Sequence, residues 1–298
     1  MPPSPYEVFS QTQRQRVSDG AVAPILSDCA GAARLLVLVW PQLGDFDSLE
    51  YAWWLQREQA LLKDTGITIR AIGIGDRSSG ERFCTYTGFP KAWLFVDPTA
   101  ALHQQLGLYG GLSLKLPGLS PAQNAWLNLM LMCAGFGSPG TLAEVWRGYR
   151  GDRQAPQLIA DEEEIKATPL PRLKGSFFKV AWGSGFQRPF ELATLRLRNM
   201  AEALGNWTTY VPDRAYLTQR GGTFLFDSCG ELLYAHRDAG ILGFSATMSR
   251  PLSFLSAWVK SQHTPGITRQ TPADRATPDA ASSCPPVHGS SAGRPPVQ

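Results

Sequence analysis

The apolar run Arg34-Leu-Leu-Val-Leu-Val-Trp40 predicts a buried strand. Pro41-Gln-Leu-Gly-Asp-Phe-Asp-Ser48 leads from it into a helix over about 48–63, with Leu49, Trp53, Leu55, Leu61 and Leu62 as its apolar positions. Asp47, with Glu50 three residues later, makes an acidic capping box, and Gly66 supplies the stop. Ile67–Ile74 predicts a second strand, and Ser79–Thr87 a short helix halted at Gly88. Trp93–Val96 is a brief third strand, after which Asp97-Pro98 opens a helix through Leu106. Strands alternating with helical stretches imply right-handed βαβ units and a sheet with a parallel core.

The pattern resumes late. Thr223–Phe226 and Glu231–Ala235 flank the turn Asp227-Ser-Cys-Gly230 and predict a hairpin, followed by a closing helix over Pro251–Val259. Residues 110–218 carry helical segments at about 121–134, 140–148 and 189–204, joined by Gly- and Pro-rich loops. The stretch is too long for a connection and is expected to be a mainly helical insertion. Residues 1–20 are expected to form a loosely attached arm, and 21–262 one domain with core blocks 34–109 and 219–260. From His263 onward there is no Leu, Phe, Tyr, Trp or Met but seven prolines, so 263–298 is expected to be a disordered tail.

Composition narrows the function classes. In 298 residues, 43% are hydrophobic, enough for a substantial core. A formal charge of +3 without a basic, aromatic-interleaved block argues against nucleic acid. Met1-Pro-Pro-Ser-Pro-Tyr lacks the basic and apolar regions of a secretory signal, and runs such as Trp126–Phe136 are too short for a bilayer. The expectation is a soluble protein of the cytoplasm or a plastid stroma, without membrane attachment. The five cysteines Cys29, Cys84, Cys133, Cys229 and Cys284 are scattered and form no CxxC, which fits a reducing compartment. Four histidines without ligand spacing predict no metal site, and no cofactor is implied. Gly73-Ile-Gly75 fails as a dinucleotide fingerprint because Ser78 replaces the third glycine. His236-Arg-Asp238 fails as a kinase loop because Gly243 stands where Asn is required.

Two motifs in order carry a resemblance. Phe89-Pro-Lys-Ala-Trp-Leu-Phe-Val-Asp-Pro98, followed by Leu106-Gly-Leu-Tyr109, is similar to the peroxiredoxin pattern. Gly221-Gly-Thr-Phe-Leu-Phe-Asp227 with Gly230-Glu-Leu-Leu-Tyr-Ala-His-Arg-Asp238 resembles that family's C-terminal hairpin. The chain thus resembles the peroxiredoxin-like branch of the alkyl hydroperoxide reductase/thiol-specific antioxidant (AhpC/TSA) superfamily. That resemblance implies an α/β fold of thioredoxin-like type, a mixed sheet with flanking helices. It also implies thiol-dependent peroxide reduction fed by a thioredoxin-type electron donor.

The departure from the family lies in one loop. Where that branch often carries Gly-Cys-x-x-Cys, this chain has Gly44-Asp-Phe-Asp-Ser48, with Asp45 and Ser48 in place of sulfur and Asp47 between them. Arg220 stands one residue out of register with the arginine that binds peroxide oxygens in the family. If the chain is a thiol enzyme, Cys84 is the first candidate nucleophile, with Arg220 or Arg82 as anion partner. Against this, Cys84 lies near a helix C-terminus, where the dipole disfavours a thiolate, and a free cysteine is ordinarily a small core hydrophobe. Asp45, Asp47 and Glu50 read either as an acidic pocket or as helix capping. Two functional readings follow: a thiol oxidoreductase, or a redox-inactive module whose insertion binds a protein or small ligand. Homodimerisation is compatible with both.

Overall fold

The computed structural model describes residues 3–59, 62, 66–181 and 185–259, all within the unit Met1–His263. The expected disordered tail lies outside the described residues. In chain order the elements begin with α1 (Pro5–Gln11), β1 (Gln13–Arg16), β2 (Val22–Pro24), β3 (Arg34–Gln42) and α2 (Phe46–Arg57). Then come β4 (Ile67–Ile74), α3 (Arg77–Thr87), β5 (Leu94–Asp97) and α4 (Ala101–Gln105). The insertion supplies α5 (Pro121–Cys133), α6 (Thr141–Arg150), β6 (Glu164–Lys166), β7 (Arg172–Lys174) and α7 (Glu191–Gly205). The chain continues through α8 (Trp207–Tyr210), β8 (Gly222–Asp227), β9 (Leu232–Arg237) and α9 (Ser256–Val259).

Seven strands form a mixed sheet in the order β2-β1-β5-β4-β3-β8-β9. β3, β4 and β5 run parallel, with Leu36 opposite Ile69 and Ile72 opposite Phe95. β8 lies antiparallel on the other side of β3, with Leu36 opposite Leu225, so the two separated sequence blocks share one sheet. The apolar run in β3 is continuous because both faces are covered. Leu36, Leu38 and Trp40 join the larger core with Leu49, Trp54 and Phe83. Leu35, Val37 and Val39 pack on the opposite face with Phe9, Leu102 and Phe224.

Three expectations change. The first twenty residues are not a loose arm. Ser4 and Glu7 close a reciprocal capping box on α1, Phe9 is fully buried edge-on against Phe224 at 5.5 Å, and β1 pairs antiparallel with β5. The closing helix over 251–259 is broken into a 3-10 turn at Ser253–Leu255 and the short α9. The insertion contains its three expected helices and also a two-stranded ribbon, β6 with β7. No helix among the described residues is long and apolar enough to cross a membrane.

Candidate functional site

The loop joining β3 to α2 ends at the N-terminus of the helix, where unpaired backbone N–H groups gather. Asp45, not Asp47, is the N-cap: its side chain accepts from the Asp47 N–H at 3.0 Å. The chain must pass close to Tyr210 here. A Cβ on Gly44 would stand 2.5 Å from the Tyr210 Cβ, so only glycine fits. Ser48 is fully buried and donates its hydroxyl to the Gln42 carbonyl at 3.0 Å.

Arg220 reaches this loop from the segment before β8. Its guanidinium is wholly buried and donates to Asp45 Oδ2 at 2.6 Å and Asp47 Oδ2 at 3.4 Å. Its Nε donates to the Thr218 carbonyl at 3.2 Å. Asp47 is itself buried and accepts from the Leu242 N–H at 2.8 Å and 3.1 Å. Burial, then the Asp45 carboxylate, pushes the Asp47 carboxyl well above the usual range, with Arg220 opposing. Burial alone would lower Arg220, but the paired carboxylates of Asp45 and Asp47 hold it above its ordinary value. Asp238 completes the cluster: burial pushes it up to about 7, against the pull of Arg220 and of the Gly221 N–H, which it accepts at 3.2 Å.

The sequence-predicted residues therefore divide. Gly44, Asp45, Asp47, Ser48 and Arg220 come together, with Arg220 held by two carboxylates. Cys84 lies elsewhere, on α3 within the larger core, 5% exposed. Burial drives its thiol up to about 12, with Lys91 opposing weakly. Both arginines considered as its anion partner are engaged elsewhere, since Arg82 forms a two-point bridge to Glu202 at 2.7 Å and 2.8 Å.

Three features near the loop carry no local signal in the sequence. Cys133, read as a residue of an apolar run, shares a small cleft with Gln42, Asp45, Trp207 and Leu217. Burial, then Asp45, raises its thiol to about 11. Glu50, read with the helix cap, is 1% exposed and takes two bonds from Arg196 on α7, at 2.7 Å and 3.1 Å. Arg196 also donates to Glu144 at 2.7 Å, and Glu144 takes two bonds from Arg147. This buried chain of alternating charge fastens the insertion to α2. Beside it, between the insertion and its neighbours, opens a cavity of about 810 Å³, walled in part by Phe46, Cys133 and Leu242. Among the described residues no group of three or more His, Cys, Asp and Glu side chains is arranged to hold a metal ion.

No curated protein matches the chain in sequence. Peroxidoxin BcpB from Mycobacterium tuberculosis superposes with a TM-score of 0.40 at 8% identity, over 85% of this chain and 94% of that one. A cysteine-to-serine mutant of peroxiredoxin Q from Xanthomonas campestris gives 0.35 at 12% identity, over 86% and 92%. The family model described as AhpC/TSA antioxidant enzyme matches residues 54–240, more than half of the chain, starting within α2 just past the Gly44–Ser48 loop. The chain belongs to the AhpC/TSA antioxidant family.

Proposed function

We propose that this AhpC/TSA-family protein works as a binding module and not as a thiol peroxidase. One observation carries the reading: the guanidinium that faces the helix N-terminus is fully buried and already paired with Asp45 and Asp47. An anion slot filled from within the chain has no place for a peroxide oxygen or a thiolate. The thiols nearest in argument support it, since burial holds Cys84 at about 12 and Cys133 at about 11, leaving both protonated at neutral pH. The competing reading, a thiol-dependent antioxidant oxidoreductase using Cys84 and a thioredoxin-type donor, draws on the description of the matching family.

The deciding experiment follows peroxide consumption with thioredoxin and its reductase, for wild type, Cys84→Ser and Cys84→Ala. The expected result is a background rate in all three. Turnover by the wild type that disappears in both variants would restore the enzyme reading. Thiol titration under native conditions gives a second check: Cys84 is expected to react slowly at neutral pH.

A further inference from the structure

The cavity beside the Asp45 loop has walls from seven parts of the chain, one of them the segment 170–173 at β7. Phe46 begins α2, Cys133 ends α5, Val145 lies on α6, Phe178 in the 3-10 turn Gly175–Ala181, Leu197 on α7, and Leu242 follows β9. Its volume, about 810 Å³, falls within the roughly 300–1,000 Å³ range of small-molecule sites. Tyr149, Phe177 and Phe190 line it yet remain 48%, 59% and 56% exposed, forming an aromatic mouth. The rings of Tyr149 and Phe190 meet edge to face at 5.8 Å.

The polar groups in the wall are already satisfied. Thr141 donates its hydroxyl to the Ile241 carbonyl at 2.7 Å, and Thr194 to the Phe190 carbonyl at 2.8 Å. Arg196, the cation of the wall, is neutralised by Glu50 and Glu144. The Cys133 thiol is uncharged. Among the described residues a ligand would therefore find apolar contact and no unpaired charge, and an anionic head group would lose its hydration without compensation.

Backbone strain gathers at the same place. Among the described residues three non-glycine residues have positive φ, and two of them, Phe190 at 64° and Leu242 at 57°, line this cavity. Such a conformation is unfavourable for a side-chain-bearing residue and persists only where its surroundings hold it, a pattern common at ligand clamps. Asp47 holds the Leu242 N–H, so the acidic loop fixes one wall of the cavity. The chain's own tail is not a suitable occupant, because residues 263–298 contain no Leu, Phe, Tyr, Trp or Met.

We propose that this cavity binds an uncharged lipophilic small molecule and discriminates against anionic amphiphiles of the same length. The proposal rests on the binding-module reading. Peroxide turnover would remove that reading, whereas the cavity stands or falls by its own titration.

The test uses the full-length chain and the neutral fluorophore N-phenylnaphthylamine. Saturable binding near one equivalent is expected, with displacement by dodecanol at least about tenfold more effective than by dodecanoate above its pKa, a gap of about 1.4 kcal/mol. Leu197→Trp, which fills the cavity, should weaken the probe at least about tenfold. Phe177→Asp, on the exposed mouth, should weaken it in the same direction, with an unchanged circular dichroism spectrum as the check on folding. Absence of saturable binding, equal binding by both variants and wild type, or preference for dodecanoate would each overturn the proposal. So would sedimentation showing a dimer that excludes the probe and dissociates on Phe177→Asp, since a second copy would then be the occupant.

Discussion

Asp47 shows how far a residue's role can sit from its local sequence. Its place before Leu49 and Glu50 suggests a cap, yet it is buried and answers to Arg220 and Leu242, both far along the chain. Arg220→Ala would leave buried carboxylates without their cation and should cost about 3–5 kcal/mol, read as a lower midpoint in urea unfolding. Asp238 gives a pH signature. Its folded carboxyl keeps a proton up to about 7, whereas the unfolded one releases it near about 4. The folded state thus binds more protons across that window, and stability falls as pH rises through it. His103 acts oppositely: burial lowers it to about 4, so its contribution is lost as pH falls below the usual histidine value. Subtraction separates the two. Asp238→Asn should flatten the falling limb in thermal scans taken between the two carboxyl values, while the His103 contribution cancels between variant and wild type.

At the scale of elements, what could be read from the chain was whatever repeats its hydrophobic period locally. The strand at 34–40, the hairpin and the three insertion helices are legible because each carries its own apolar run, continuous in β3 and β8 and helically spaced in the helices. β1 is not, since Gln13-Arg-Gln-Arg16 carries polar side chains and is held by backbone pairing with β5 and by neighbours such as Phe9 and Val17. The link between α2 and α7 is equally silent in sequence, because an isolated Glu50 or Arg196 looks like any helix-surface charge. Arg196→Ala, which strands the buried Glu50 and leaves Glu144 with Arg147 alone, should destabilise by about 3–5 kcal/mol. It should also expose the insertion to limited proteolysis before the sheet. A Cβ at Gly44 would collide with Tyr210, so Gly44→Ala is expected to cost about 1–3 kcal/mol by overpacking, measurable in the same denaturation series.

Across the whole molecule, the site belongs to no single sequence block. The resemblance pointed to the loop and to the sheet, but the partners of Asp45, Asp47 and Glu50 come from the insertion and the C-terminal segments, whose packing no local pattern encodes. Closure of the sheet also depends on the N-terminus. Deleting residues 1–20 should bare the β5 edge and the Phe224 face, giving a protein that aggregates at a lower temperature than the full chain, read by light scattering on heating. Installing sulfur by Asp45→Cys would seat a nucleophile at the N-cap of a twelve-residue helix, next to a guanidinium with one fewer carboxylate to serve. Iodoacetamide should then alkylate position 45 near neutral pH long before it touches Cys84. The scaffold would prove to be dormant with respect to sulfur chemistry, one side chain short of waking.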